Sequence, residues 1–409
     1  MHNNLAVQIP RDLLDPYITN LPVPNSEGLV PVILTWDQGK ITQIKPFKYS
    51  HQTPLPLALT PFIEPHSHID KAYSNSIRSD VDNGMSQSLF TNSIEHSFRT
   101  TNLLQKRINY SLQRAWMQGL RGIRTHIDTF GPTGQSSWEI LQDLRLQWKN
   151  RIALQLVALT PLYYWGTHKG ITLAKQVAKS GGLLGGVIGP PYSKTTYLED
   201  EILVFLQLAQ SLDCSVDLHI DESSIKPGTG VSLVTSIVEK YQFDISITCS
   251  HSSSMGLLPL RDSRRLAERM ASVNLQVVSL PFTNFWLLGR LFQATPVTRP
   301  IAPIHQLQAA GVNVSIGSDN IQDAWFPGGN FNIVELMFFS TLVTHLTPWS
   351  RQGLSLFTTS PSRLMGLEWD GVFRIGSPAD ILLFDCEKWQ SLLYNNPKRQ
   401  ILKYGQWIV

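Results

Sequence analysis

The chain of 409 residues is poor in cysteine and in charge. Its three cysteines, Cys214, Cys249 and Cys386, lie far apart, which excludes a disulfide framework and a thiolate zinc site. Charged residues make up 16% of the sequence. Lys and Arg are scattered with no basic run, so a net charge of +3 builds no nucleic-acid groove. No apolar run approaches the roughly 20 residues that a membrane helix needs. Met1 to Asp12 lacks a basic start followed by an apolar core, so no signal peptide is expected. Solenoid repeats and low-complexity tracts are missing as well. These absences predict a cytoplasmic protein with neither nucleic acid nor membrane as partner. What the chain does have is apolar surface: 42% of it is hydrophobic, enough at this length to bury a large core.

Short apolar runs alternate with longer amphipathic stretches. The runs are Pro61–Glu64, Gly122–His126, Ala153–Leu159, Gly186–Gly189, Val216–His219, Ile245–Thr248, Gln276–Ser279 and Val312–Ile316. They are short, rich in Val and Ile, and bounded by Gly, Pro or polar residues, as buried parallel strands are. Between them Leu104, Ile108, Leu112 and Ala115 recur at helical spacing, as do Ile202, Phe205, Leu206 and Ala209. Eight strands with helices between them predict a (β/α)8 TIM-type barrel. The doubly wound sheet would want a Gly-rich phosphate loop after an early strand, and Gly181–Gly186 is too short and misplaced for one. Val30–Ile44, Ala379–Phe384 and Gln400–Val409 read as strands outside the barrel repeat. We therefore expect residues 58–366 to form the barrel, with 1–57 and 367–409 joining as one small β-sandwich domain.

Barrels of this class place reactive groups at the C-terminal ends of their strands. The first strand ends in His66-Ser67-His68, whose imidazoles at i and i+2 point the same way. The fifth ends in His219 followed by Asp221 and Glu222, the sixth in His251, the eighth in Asp319. Taken singly, His219 could be a hydrogen-bonded core residue and Asp319 a helix cap. Together they offer imidazoles and a carboxylate to one point on the barrel axis. That donor set suits one divalent metal ion, Zn or Fe(II), with a position left for water.

These segments carry a resemblance. Glu64 to Lys71, Asp217 to Glu222, Ser250 to Met255, Leu280 to Arg290 and Asp319 to Gly329 look like members of the amidohydrolase superfamily, and within it resemble the cytosine deaminase family. Gly376 to Asp380 and Lys403 to Gly405 resemble its closing β segment. The resemblance implies that His66, His68, His219 and Asp319 hold the metal and that Asp319 also takes a proton from the attacking water. It implies that Glu222 shuttles a proton and that His251 hydrogen-bonds the water or the developing oxyanion. Trp325, Phe285 and Trp286 would line a slot for a flat nitrogen heterocycle, with Phe326 beside them and Tyr163 at the edge. The expected activity is hydrolytic deamination with ammonia release, on a small-molecule substrate. A cyclic-amide hydrolase and a catalytically silent metal-binding relative are the alternatives, and a homo-oligomer is compatible with the class. One metal is expected, because no Lys or Glu ends the fourth strand and Lys194 lies beyond it. Lys71 is a candidate for a substrate carbonyl or carboxylate, and Asp128 for support of a ligand histidine.

One departure bears on the substrate. In that family the third strand closes on a glutamine that reads the pyrimidine amide. Here the strand closes on Thr160-Pro161-Leu162-Tyr163. Proline has neither an amide side chain nor a backbone donor. The departure argues against cytosine itself and leaves a related amidine or amide open.

Overall fold

The computed structural model describes residues 3–48, 54–74, 84–192, 195–291 and 293–408. The chain divides into two compact units. One holds Met1–Ile63, Met117–Arg121 and Asn332–Val409, and the other Glu64–Trp116 and Gly122–Phe331.

The first unit is organised by a seven-stranded sheet drawn from both ends of the chain. Its strands are β1 (Asn3–Pro10), β2 (Leu29–Asp37), β3 (Lys40–Pro46) and β4 (Leu57–Leu59) from one end. After the eight barrel strands, β5 to β12, come β13 (Ile381–Phe384), β14 (Arg399–Lys403) and β15 (Gln406–Trp407). The order is β15-β14-β13-β4-β1-β2-β3. Short β4 is the joint, parallel to β1 at Gln8↔Leu57 and antiparallel to β13 at Leu382↔Leu59. Val7, Ile9, Val32, Leu59, Ile381 and Leu402 are all fully buried in this unit. Asp380 takes the Lys403 ammonium at 2.5 Å and the Tyr404 N–H at 2.7 Å, which ties the two C-terminal segments together. The cut before Asn332 falls well ahead of residue 367. Helix Ile333–Thr344 packs on helix Trp389–Asn395, with the Phe338 and Tyr394 rings 5.0 Å apart, and Arg399 donates to Asn332 Oδ1 at 2.7 Å.

The second sheet is the barrel. Its eight strands are β5 (Phe62–Ser67), β6 (Leu120–Asp128), β7 (Ala153–Pro161), β8 (Leu183–Ile188), β9 (Val216–Ile220), β10 (Ile247–His251), β11 (Gln276–Ser279) and β12 (Val314–Ile316). They neighbour one another in chain order, and the pairs from β6 to β12 are parallel. A lone parallel bridge, Ser67↔Asp319, brings the first and last strand ends together. The fold is a (β/α)8 TIM barrel. Helix Thr101–Met117 buries Leu104, Ile108, Leu112 and Ala115, the apolar face read from their spacing. Helix Thr195–Ser211 likewise buries Ile202, Phe205, Leu206 and Ala209. The Gly-rich run enters β8, where a Cβ on Gly186 would lie 2.6 Å from the Leu162 side chain.

Candidate active site at the barrel mouth

Alternation along β9 turns Asp217 and His219 inward and Val216, Leu218 and Ile220 toward the helices. His219 therefore reaches the barrel axis, where its Nε2 lies 3.2 Å from that of His68. Asp319, just past β12, has Oδ1 at 3.3 Å from His68 Nε2 and 3.6 Å from His66 Nε2. Ligand atoms of His66, His68 and Asp319 all fall within 4.8 Å of one another, as do those of His66, His219 and His251, and those of Glu222, His251 and Asp319. His251 Nδ1 stands 3.6 Å from Glu222 Oε1. Asp319 and His251 sit at φ values of 64° and 69°, left-handed backbone that bulky residues avoid. Such strain collects where a side chain has to be aimed at a particular point.

The cluster is buried and several of its polar atoms are unspent. His66 Nε2, His68 Nδ1, His219 Nδ1, His251 Nε2 and both Asp319 oxygens are buried without a hydrogen-bond partner among the described residues. Buried polar atoms are almost always satisfied, and the free lone pairs of His66 Nε2 and of the Asp319 oxygens, brought together beside His68, suit a positive charge there. Burial, then the neighbouring imidazoles, hold His66 and His219 well below the usual histidine range, so both are neutral and have a lone pair to give. Burial would raise Asp319, but the His68 and His251 imidazoles outweigh it and keep its carboxyl ionised. Burial lowers His251 to about 4, against the pull of Asp319. The residues present therefore fit a divalent ion held by nitrogen and oxygen.

Behind these side chains lies a support that the sequence reading missed. His66 Nδ1 donates to Ser250 Oγ at 2.9 Å, because Ser250 spends its own proton on Asp217 Oδ1 at 2.6 Å. That relay puts the His66 proton on Nδ1 and leaves a lone pair on its buried Nε2. Arg124 Nη1 balances Asp217 at 2.7 Å. His126 stacks on His66 with ring centroids 3.8 Å apart. Glu64 accepts the Ser318 N–H at 3.0 Å and the His66 N–H at 3.1 Å, bolting the two strand ends together, and burial pushes its carboxyl up to about 8. Gly317 makes this possible, since a Cβ there would come within 2.7 Å of Glu64 Oε1. Asn284 donates to His251 Nδ1 at 3.0 Å, which leaves the proton on Nε2. One signal could have found Asp217: it stands two residues before His219, on the same face of the same strand.

Asp128 is placed elsewhere than the sequence reading put it. It takes the Lys71 ammonium at 3.1 Å and His96 Nε2 at 3.0 Å, and the carboxylate behind His66 is Asp217, reached through Ser250. Burial works against the Lys71 charge, but Asp128 and Asp70 outweigh it and raise the lysine. Its Nζ lies 5.7 Å from the centre of the Trp325 ring, whose loop is held by Asp323 accepting the Trp325 N–H at 2.8 Å. Trp286 meets Phe326 edge-on at 6.4 Å, and Phe285 next to it is 40% exposed. Tyr163 is exposed beside Phe130, with centroids 6.3 Å apart. Pro161 closes β7 opposite Val187. Lys194 lies outside the described residues.

Residues 188–399, more than half of the chain, match the sequence profile of the amidohydrolase family. The chain belongs to that family. It is a hydrolase of carbon–nitrogen bonds other than peptide bonds. The amidohydrolase is 28% identical over 399 residues to a pterin deaminase of Rhizobium rhizogenes, covering 94% of this chain and 89% of the relative. It is 25% identical to the N-isopropylammelide isopropyl amidohydrolase of a Pseudomonas species, over 73% of this chain and 72% of the relative. In fold it matches the 5-methylcytosine deaminase of Klebsiella pneumoniae solved with phosphonocytosine. That match has a TM-score of 0.83 at 20% identity, over 100% of this chain and 98% of the other. No helix among the described residues is long and apolar enough to cross a membrane.

Proposed function

We propose that this amidohydrolase deaminates an amino-substituted nitrogen heterocycle by hydrolysis, using a single divalent ion held by His66, His68, His219 and Asp319. The observation that carries the reading is the convergence of buried, unpartnered nitrogen and oxygen atoms beside Glu222 and His251. When bound, Zn or Fe(II) supplies the Lewis acidity that makes a water molecule nucleophilic near neutral pH.

The chain's own residues handle the protons. Asp319, ionised and flanked by imidazoles, accepts one from the attacking water. Burial, and then the charge of Asp319, raise Glu222 well above the usual carboxylate range. Glu222 is thereby suited to hold a proton at neutral pH and pass it to the ring nitrogen of an amidine. The C–O bond forms; the proton left on that oxygen passes by way of Glu222 to the amine, the C–N bond breaks and ammonia leaves, and Asp319 returns its proton to Glu222. The Nε2–H of His251 donates to the oxygen on which charge builds. Lys71 and Trp325 lie on one side of the mouth, where a carbonyl edge and a ring face would rest.

The test is ammonia release by metal-reconstituted protein across pyrimidines, triazines, pterins and cyclic ureas. The reading expects ammonia from at least one amino-bearing ring. Ring opening of a cyclic urea without ammonia would favour the cyclic-amide alternative. The absence of Lys and Glu from β8 speaks against that alternative, because a bridged pair of metals needs such a ligand there.

A further inference from the structure

We infer that the β7–β8 side of the mouth selects a fused bicyclic substrate, whose second ring lies against Leu159, Pro161 and Val187. The inference rests on the reading of the site as a deaminase of nitrogen heterocycles. Paired residues of neighbouring parallel strands face the same way, so the register Pro161↔Val187↔His219 puts these three in one inward layer. Leu159 and Gly185 pair one layer below. Val187 is 52% exposed although residues 183–186 and 188 of its strand are buried. An inward side chain with that much exposure borders the open mouth. The space stops beneath it, because a Cβ on Gly185 would already lie 2.9 Å from Val157 Cγ1 and 3.1 Å from the Ala158 carbonyl oxygen.

This wall has no side chain that could read a polar ring edge. Leu159, Pro161, Gly185 and Val187 carry neither donor nor acceptor there. The amide of β7, Gln155, stands deeper and accepts from Arg124 Nε at 2.8 Å. Above the wall Phe130 and Tyr163 are 44% and 55% exposed, Phe130 resting edge-on against Tyr164 at 5.3 Å. The facing side is charged, with Lys71, Asp128 and His96. A single ring placed between Glu222 and Asp319 leaves the apolar wall bare. A second fused ring covers it and gains by contact what it cannot gain by hydrogen bonds.

The test measures binding without turnover, by quenching of tryptophan fluorescence in metal-loaded Glu222→Gln protein with pterin or cytosine as probe. Pterin is expected to bind about tenfold more tightly than cytosine, in the range an apolar pocket discriminates. Adding Val187→Phe should weaken pterin by about tenfold and leave cytosine within about twofold, and Val187→Gln, a half-exposed change that the fold tolerates, should act in the same direction. Equal affinity for the two rings, or an equal loss for both in either variant, would overturn the inference. Failure of wild-type protein to release ammonia from any ring would instead overturn the deaminase reading, with the binding comparison still deciding what the wall selects.

Discussion

The barrel and the terminal sheet bury their inner faces equally well but with opposite chemistry. In the sheet Val7, Ile9, Val32, Ile381 and Leu402 line one face, with nothing to satisfy except van der Waals contact. In the barrel Arg124, His66, His126, Asp217, His219 and Ser250 are packed as deeply. Buried charge costs free energy unless it is paired, and a paired buried charge stabilises little more than a hydrophobic residue would. The barrel interior therefore reflects function, while the sheet interior can be devoted to holding the chain folded. Changes to the groups at the barrel mouth that leave no buried charge unpaired should show first in activity, and changes inside the sheet first in stability.

The largest break is expected at Glu222. Glu222→Gln should lower kcat by about a thousandfold, within what a positioned proton carrier contributes, with metal content and Tm unchanged. An unchanged kcat would end the proton-shuttle assignment. The mirror experiment is Leu382→Ala, a fully buried side chain of β13 facing Leu59. It should cost about 3 kcal/mol in urea unfolding while kcat/KM per folded molecule stays the same. Ser250→Ala sharpens the comparison, since it leaves all four proposed ligands in place and cuts only the relay between His66 and Asp217. Metal affinity in chelator competition should fall by about 10 to 100-fold, as loss of such support does elsewhere.

The smallest effect is a pH dependence. Burial pushes Asp323 up to about 6 from 3.8, against the donors Asn320, Trp325 and Phe326. The folded chain then holds this proton more tightly than the unfolded chain does. The stability it contributes is present below about 4 and is lost as pH rises through about 6. Relative to wild type, Asp323→Asn should become steadily more favourable between those two values in urea titrations. A difference that stays flat with pH would show that Asp323 is ionised throughout.

The barrel was legible because its strands obey a pattern. Each of the eight apolar runs overlaps a barrel strand, and the residues that end the first, fifth, sixth and eighth meet. Strands β1 and β4 escaped notice for a physical reason. Leu57–Leu59 is three residues among prolines, too short for any periodicity, and only its partners β1 and β13 make it a strand. Candidate ligands could be proposed because metal chemistry restricts the residue types, whereas the groups behind them could not. Ser250, Asn284 and Asp217 are ordinary residues that matter only through what lies within 3 Å of them, and sequence order does not encode that distance. Asp128 shows the same limit: it sits at the expected strand end, yet Lys71 and His96 claim it.

Counting metal per chain tests the central claim most directly. Protein reconstituted with Zn or Fe(II) and freed of excess ion should hold one ion per chain, and His219→Ala and Asp319→Ala should lose it while keeping the wild-type circular dichroism. Two ions per chain, or one ion retained undiminished after either substitution, would contradict the account.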